Sequence, residues 1–127
     1  MSAEVLLKTC SLGSGLTAAV TDTTRHYYGG YFHVRIEIRS VVPLTEACFA
    51  TVVEYEDARE RLGTTVEFSR ILEKMAVPES ELEIVQQHLL DAFDANLLPY
   101  LQRDDFAPSF VRSEYRKKLK NVPRFHH

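Results

Sequence analysis

RHYYGGYFHVRIEIRS, residues 25–40, decides the fold. Gly29-Gly30 supplies the positive φ angles that a two-residue hairpin turn needs. Beyond it, Phe32, Val34, Ile36 and Ile38 alternate with Tyr31, His33, Arg35, Glu37 and Arg39. Period two is the signature of a half-buried antiparallel strand, here with its first set facing the core. A turn at Gly29-Gly30 sets Tyr28 opposite Tyr31, Tyr27 opposite Phe32 and His26 opposite His33. It also sets Arg25 opposite Val34, Thr24 opposite Arg35 and Asp22 opposite Glu37. On that register Tyr27 and Phe32 enter the core, Tyr28 and Tyr31 are exposed, and His26 and His33 lie side by side on the solvent face.

Upstream, residues 4–11 and 16–25 read as strands joined by the GSG turn at 13–15. Downstream, Pro43 ends the long strand. Thr45 is the expected N-cap of a helix through Leu62, with Gly63 closing it. Cys48, Val52, Tyr55 and Leu62 share one side of that helix, and Asp57 and Arg61 are spaced for a surface ion pair. Residues 64–77 read as a strand between Gly63 and Pro78, although Phe68, Ile71, Leu72 and Met75 also fit a helix. Ser80 and Glu83 have the spacing of a capping box. Leu82, Val85, Leu89, Ala92, Phe93, Asn96 and Leu97 then form an amphipathic stripe that Pro99 ends or kinks. A last helix places Val111, Tyr115 and Leu119 on one row and Arg112, Arg116 and Lys120 on the next, and residues 121–127 are expected to fray. Early hairpins followed by clustered helices define an α+β fold. The expectation is an antiparallel sheet of three or four strands, with helices 45–62 and 80–98 on one face.

The chain has 127 residues, 45% of them hydrophobic, which fits one domain over residues 1–127. It contains no long apolar run of transmembrane type and no basic-then-apolar leader at its start, so a cytoplasmic, non-membrane protein is expected. Cys10 and Cys48 lack metal or disulfide-framework spacing, which suits reduced thiols. The net charge of −3 is unevenly spread: residues 1–43 carry +1, residues 44–102 carry −8 and residues 103–127 carry +4. Attraction between the acidic middle and the basic tail, within one chain or between two, follows from that asymmetry.

The stretches GLTAAVTDTTRHYYGGYFHVRIEI (15–38), VPLT (42–45) and PYLQRDDF (99–106) resemble a family of small uncharacterised bacterial proteins. The resemblance implies a hairpin-plus-helix domain. It implies no activity and supplies no catalytic residue.

Four constellations have chemical potential. Opposed His26 and His33 offer two imidazoles to a metal, but no third ligand is suitably spaced, so they read first as solvated strand residues. Tyr28 and Tyr31 can anchor a partner or stack on a base, but tyrosines are also favoured strand residues that cover a sheet face, and they read first as that. Glu54, Glu56, Asp57 and Glu60 spread around a helix as a solvated face. Arg112, Arg116 and Lys120 can meet a partner or track phosphates, although a pI near 5.9 argues against a dedicated nucleic-acid binder. The chain has no Gly-rich phosphate loop, no GxSxG elbow and no HExxH. The expected function is therefore a small, non-enzymatic binding or protein-interaction domain without a cofactor. A homodimer, or a protein or small-molecule partner, would be met through Tyr28, Tyr31 and the last helix. The alternatives are a metal-binding protein or enzyme using His26 and His33, and a binder of nucleic acid or anionic surfaces through the basic C-terminal helix.

Overall fold

A computed structural model describes residues 4–120. Its spine is the long strand β4, Tyr31–Pro43, which pairs on both edges. One edge meets β2, Thr17–Asp22, and then β3, Arg25–Tyr28. The other meets β5, Thr65–Pro78, antiparallel from Tyr31↔Pro78 to Pro43↔Thr65. β1, Val5–Ser11, pairs with β2 and forms the far edge. The sheet thus has five strands in an α+β domain. Because β2 and β3 share one edge of β4, they fill only four lanes. The ambiguous segment 64–77 is a strand, as Gly63 and Pro78 suggested.

The alternation in β4 divides the sheet into two faces. Val34, Ile36, Ile38, Ser40 and Val42 are buried on the inner face. The helices α1 (Val52–Leu62), α2 (Leu82–Ala92), α3 (Leu98–Leu101) and α4 (Phe106–Lys120) pack on that face. Ser40 keeps the pattern despite its polarity, because its hydroxyl donates to the Thr17 carbonyl at 2.8 Å. A smaller core of Val34, Val77 and Val85 lies toward the hairpin end.

Several local readings change. Thr45 opens only a short 3₁₀ turn, Glu46–Cys48, after which Phe49 is extended. The helix proper starts at Val52, where Thr51 accepts the Glu54 amide at 3.1 Å. Thr-x-x-Glu is the better N-terminal signal. Val52 is consequently exposed, and Tyr55, Ala58 and Leu62 form the packed side. Ser80 and Glu83 make no capping box: Glu79–Glu81 is a 3₁₀ turn, and α2 begins at Leu82 without a side-chain cap. The stripe along α2 holds except for Asn96, which is exposed. Pro99 does not end the helical run. A π-helical turn, Phe93–Leu97, precedes it and α3 continues through it. There the Leu98 amide reaches back to the Phe93 carbonyl, five residues away. This wider turn moves backbone carbonyls out of the way of a ring that lacks an N–H. In the last helix, Val111 is buried, Tyr115 is half-buried and Leu119 is exposed. The expected fraying of residues 121–127 lies outside the described residues.

Both cysteines are free thiols. The acidic α1 and basic α4 do pack together, but through Tyr115, whose hydroxyl donates to Asp57 at 2.5 Å. Arg61 also donates to Asp57, at 3.0 and 3.1 Å. The Tyr115 hydrogen bond first, and then Arg61, hold the Asp57 carboxyl below its ordinary range. The same bond raises the Tyr115 phenol. A depressed carboxyl stabilises the fold above its unfolded pKa and loses that contribution as pH falls through the folded value. A raised phenol contributes below its unfolded pKa and loses it as pH rises through the folded one. Tyr115→Phe is therefore expected to lower the urea midpoint at neutral pH. The gap from the parent should narrow below pH 4 and again in strong alkali. A gap independent of pH would assign the effect to packing alone.

Candidate functional site

The face of the sheet opposite the helices carries the exposed chemistry. A β-bulge in β3 between His26 and Tyr28 reshapes the hairpin. Tyr28 still opposes Tyr31, but His26 now opposes Phe32 and Arg25 opposes His33. One extra residue moves every earlier side chain to the other face. Asp22 accordingly pairs with Ile36 rather than Glu37. His26 and His33 therefore point to opposite faces, not side by side. His26 packs edge-on against Phe32 at 5.4 Å, and its Nε2 donates to the Gly29 carbonyl at 2.5 Å. His33 Nε2 donates to Glu73 at 2.5 Å. Among the described residues, no three His, Cys, Asp or Glu side chains converge on a metal position.

The same bulge expels Tyr27. It is 55% exposed instead of buried, beside Tyr28 at 73% and Tyr31 at 46%. Phe32 is only half-buried and lies outside both apolar clusters. A second irregularity, in β5, lies opposite His33, where the β4–β5 register shifts between Phe32 and Val34. Ala76 there has φ +55°, an uncommon angle for a residue with a Cβ. Met75, beside it, is 47% exposed. Three tyrosines and a methionine thus gather at the hairpin end of the sheet. Sequence reasoning found Tyr28 and Tyr31. It missed Tyr27 and Met75, because two bulges decide where they point.

Behind this apolar end runs a charged row. Glu37 accepts from Arg39 at 2.5 Å and from the Ser69 hydroxyl at 3.5 Å. Arg39 also approaches Glu67 at 3.9 Å. Glu73 is held by His33. The Glu37 and His33 side chains retain only 13% and 15% exposure, so the row is tightly laid on the sheet. Arg35 sits between them, half-buried. Its Nε is shielded from solvent and has no hydrogen-bond partner among the described residues. The Thr23 hydroxyl, likewise shielded and without a partner, belongs to the residue directly across the ladder, whose amide donates to the Arg35 carbonyl at 3.0 Å.

The basic helix is less available than its sequence suggested. Arg112 is half-buried and donates to the Cys48 carbonyl at 3.0 Å, bracing the 3₁₀ turn. Arg116 and Lys120 are exposed. A cavity of about 250 Å³ opens between Leu16, Pro43, Thr45, Cys48 and Pro108, with an apolar lining. The Cys48 thiol there lies 3.5 Å from the Thr45 hydroxyl. No described helix is long and apolar enough to cross a membrane. Comparison with protein-family models, curated proteins and solved structures returns no match to this chain.

Proposed function

We propose that the protein is a small interaction domain that receives a partner protein on its open sheet face, with the tyrosine end as anchor. The exposure of Tyr28, Tyr31 and Met75 at one end of that face, with Tyr27 exposed in the bulge beside them, carries the reading. Tyrosines give large contact area with few rotatable bonds, and they dominate contact surfaces for that reason. At 46–73% exposure these three rings bury too little to be explained by the core.

A displayed random-peptide selection tests this. Selected peptides are expected to lose about tenfold or more in affinity for Tyr28→Ser/Tyr31→Ser, the scale of one hot-spot residue. They should keep their affinity for Val53→Ser, a control on the exposed side of α1. No enriched binder, or binders indifferent to the tyrosines, would overturn the reading.

Self-association is the second reading, favoured by β1. This edge strand exposes Val5 and Leu6 and carries Lys8 as its only basic residue. Such an edge is open to pairing with a second copy. Sedimentation of the parent against Leu6→Lys separates a β1-paired dimer from a monomer.

A further inference from the structure

We propose that the partner delivers a carboxylate to Arg35, so that the open face selects acidic protein segments; this rests on that face being the contact surface. The carboxylates already on the face are engaged, Glu37 with Arg39 and Glu73 with His33. Arg35 is half-buried, makes no ion pair among the described residues and keeps an unpartnered Nε. Of the guanidinium only Nε is shielded, and an N–H withdrawn from water without an acceptor is costly to hold. The Thr23 hydroxyl beside it, in a residue 9% exposed, is a second polar group with no partner. Arg25, exposed and opposite His33, adds another guanidinium to the same face.

A carboxylate fits this position in shape and charge. Arginine's planar fork matches its two oxygens. Glu37 and Glu73 flank the position, and their negative charge opposes a phosphate dianion more than a monoanion. The spacing adds specificity. Tyr31 and Arg35 lie on one face of one strand, about 13 Å apart at some 3.3 Å per residue. An extended segment with an apolar residue and a glutamate four positions apart would meet both.

The test uses the full chain, labelled with ¹⁵N, and a capped serine-threonine peptide carrying leucine and glutamate four positions apart. Its glutamine counterpart, sodium acetate and inorganic phosphate are the comparisons. The glutamate peptide is expected to shift the Arg35 Nε–Hε signal saturably and to bind about tenfold or more tightly than the glutamine peptide, the worth of one charge-assisted hydrogen bond. Arg35→Gln should erase that preference without lowering the urea midpoint. Equal affinity for the two peptides, or a preference that survives Arg35→Gln, would overturn the proposal. So would a sharp loss of stability in Arg35→Gln, or phosphate acting at lower concentration than acetate. If both peptides bind equally and lose affinity in Tyr28→Ser/Tyr31→Ser, the contact surface stands and the carboxylate fails. If neither peptide binds but acetate selectively shifts Arg35, the anion site stands and the contact surface fails. If neither peptide nor acetate shifts Arg35, the proposal is overturned.

Discussion

Phe106→Ala is expected to cost about 3–5 kcal/mol, the usual loss for a buried phenylalanine. Phe106 is 2% exposed and opens α4. Its ring meets Phe68 of β5 and Tyr100 of α3 edge-on, at 5.5 and 5.3 Å, and stacks on Phe110 at 5.7 Å. One side chain therefore ties the sheet, the end of the long helical run and the last helix together. A domain of this size is stable by about 5–15 kcal/mol, so the variant should unfold at far lower urea. Circular dichroism at 222 nm through a urea titration reads the effect. A loss below about 1 kcal/mol would mean that Phe68 and Phe110 collapse into the space. Val111, on the same helix, is fully buried, so α4 belongs to the core as well as carrying the basic row.

Ile36→Ala comes next, with an expected loss of about 2–5 kcal/mol. Ile36 is fully buried at the middle of β4, with Asp22 on one side and Leu72 on the other. It also tests the face assignment directly. Glu37, the next residue along the chain, lies on the open face with its side chain 13% exposed, so Glu37→Ala should cost about 1 kcal/mol, the net worth of a hydrogen bond rather than of a core side chain. A large difference between neighbours is what a one-sided sheet demands. Comparable losses would mean that something covers both faces.

The alternation in β4 was legible because burial on one face imposes a period that no other structure shares. Gly29-Gly30 was legible for a related reason: Gly29 has φ +53°, where glycine is favoured. What the alternation could not reveal was the bulge in β3. An extra residue leaves composition and local pattern nearly unchanged, yet it separated His26 from His33 and turned Tyr27 outward. The candidate site was therefore half visible. Tyr28 and Tyr31 flank the turn, and the turn fixes them whatever follows. Arg35 read only as one charge in a row, because its lack of an anion depends on Glu73 of a strand some forty residues away. Thr51-x-x-Glu54 was present to be read, but Thr45 lay closer to the end of the strand and drew the helix start toward it.

Val85, Leu89, Phe93, Leu97 and Leu101 recur every fourth residue, and all but the half-buried Leu89 are buried. At 3.6 residues per turn such a row drifts about 40° at each step and would leave the core within a few turns. The π turn at Phe93–Leu97 returns it. In evolutionary terms, that turn is a regular helix with one residue inserted, and the insertion is bound to Pro99. Deleting a residue between 94 and 96 would swing Leu101 about 100° around the axis, away from the core. It would also set the proline ring against an α-helical carbonyl. Replacing Pro99 first would leave a π turn with no ring to accommodate. The deletion is harmful while the proline remains, so a lineage carrying this chain is expected to lose Pro99 no later than the inserted residue.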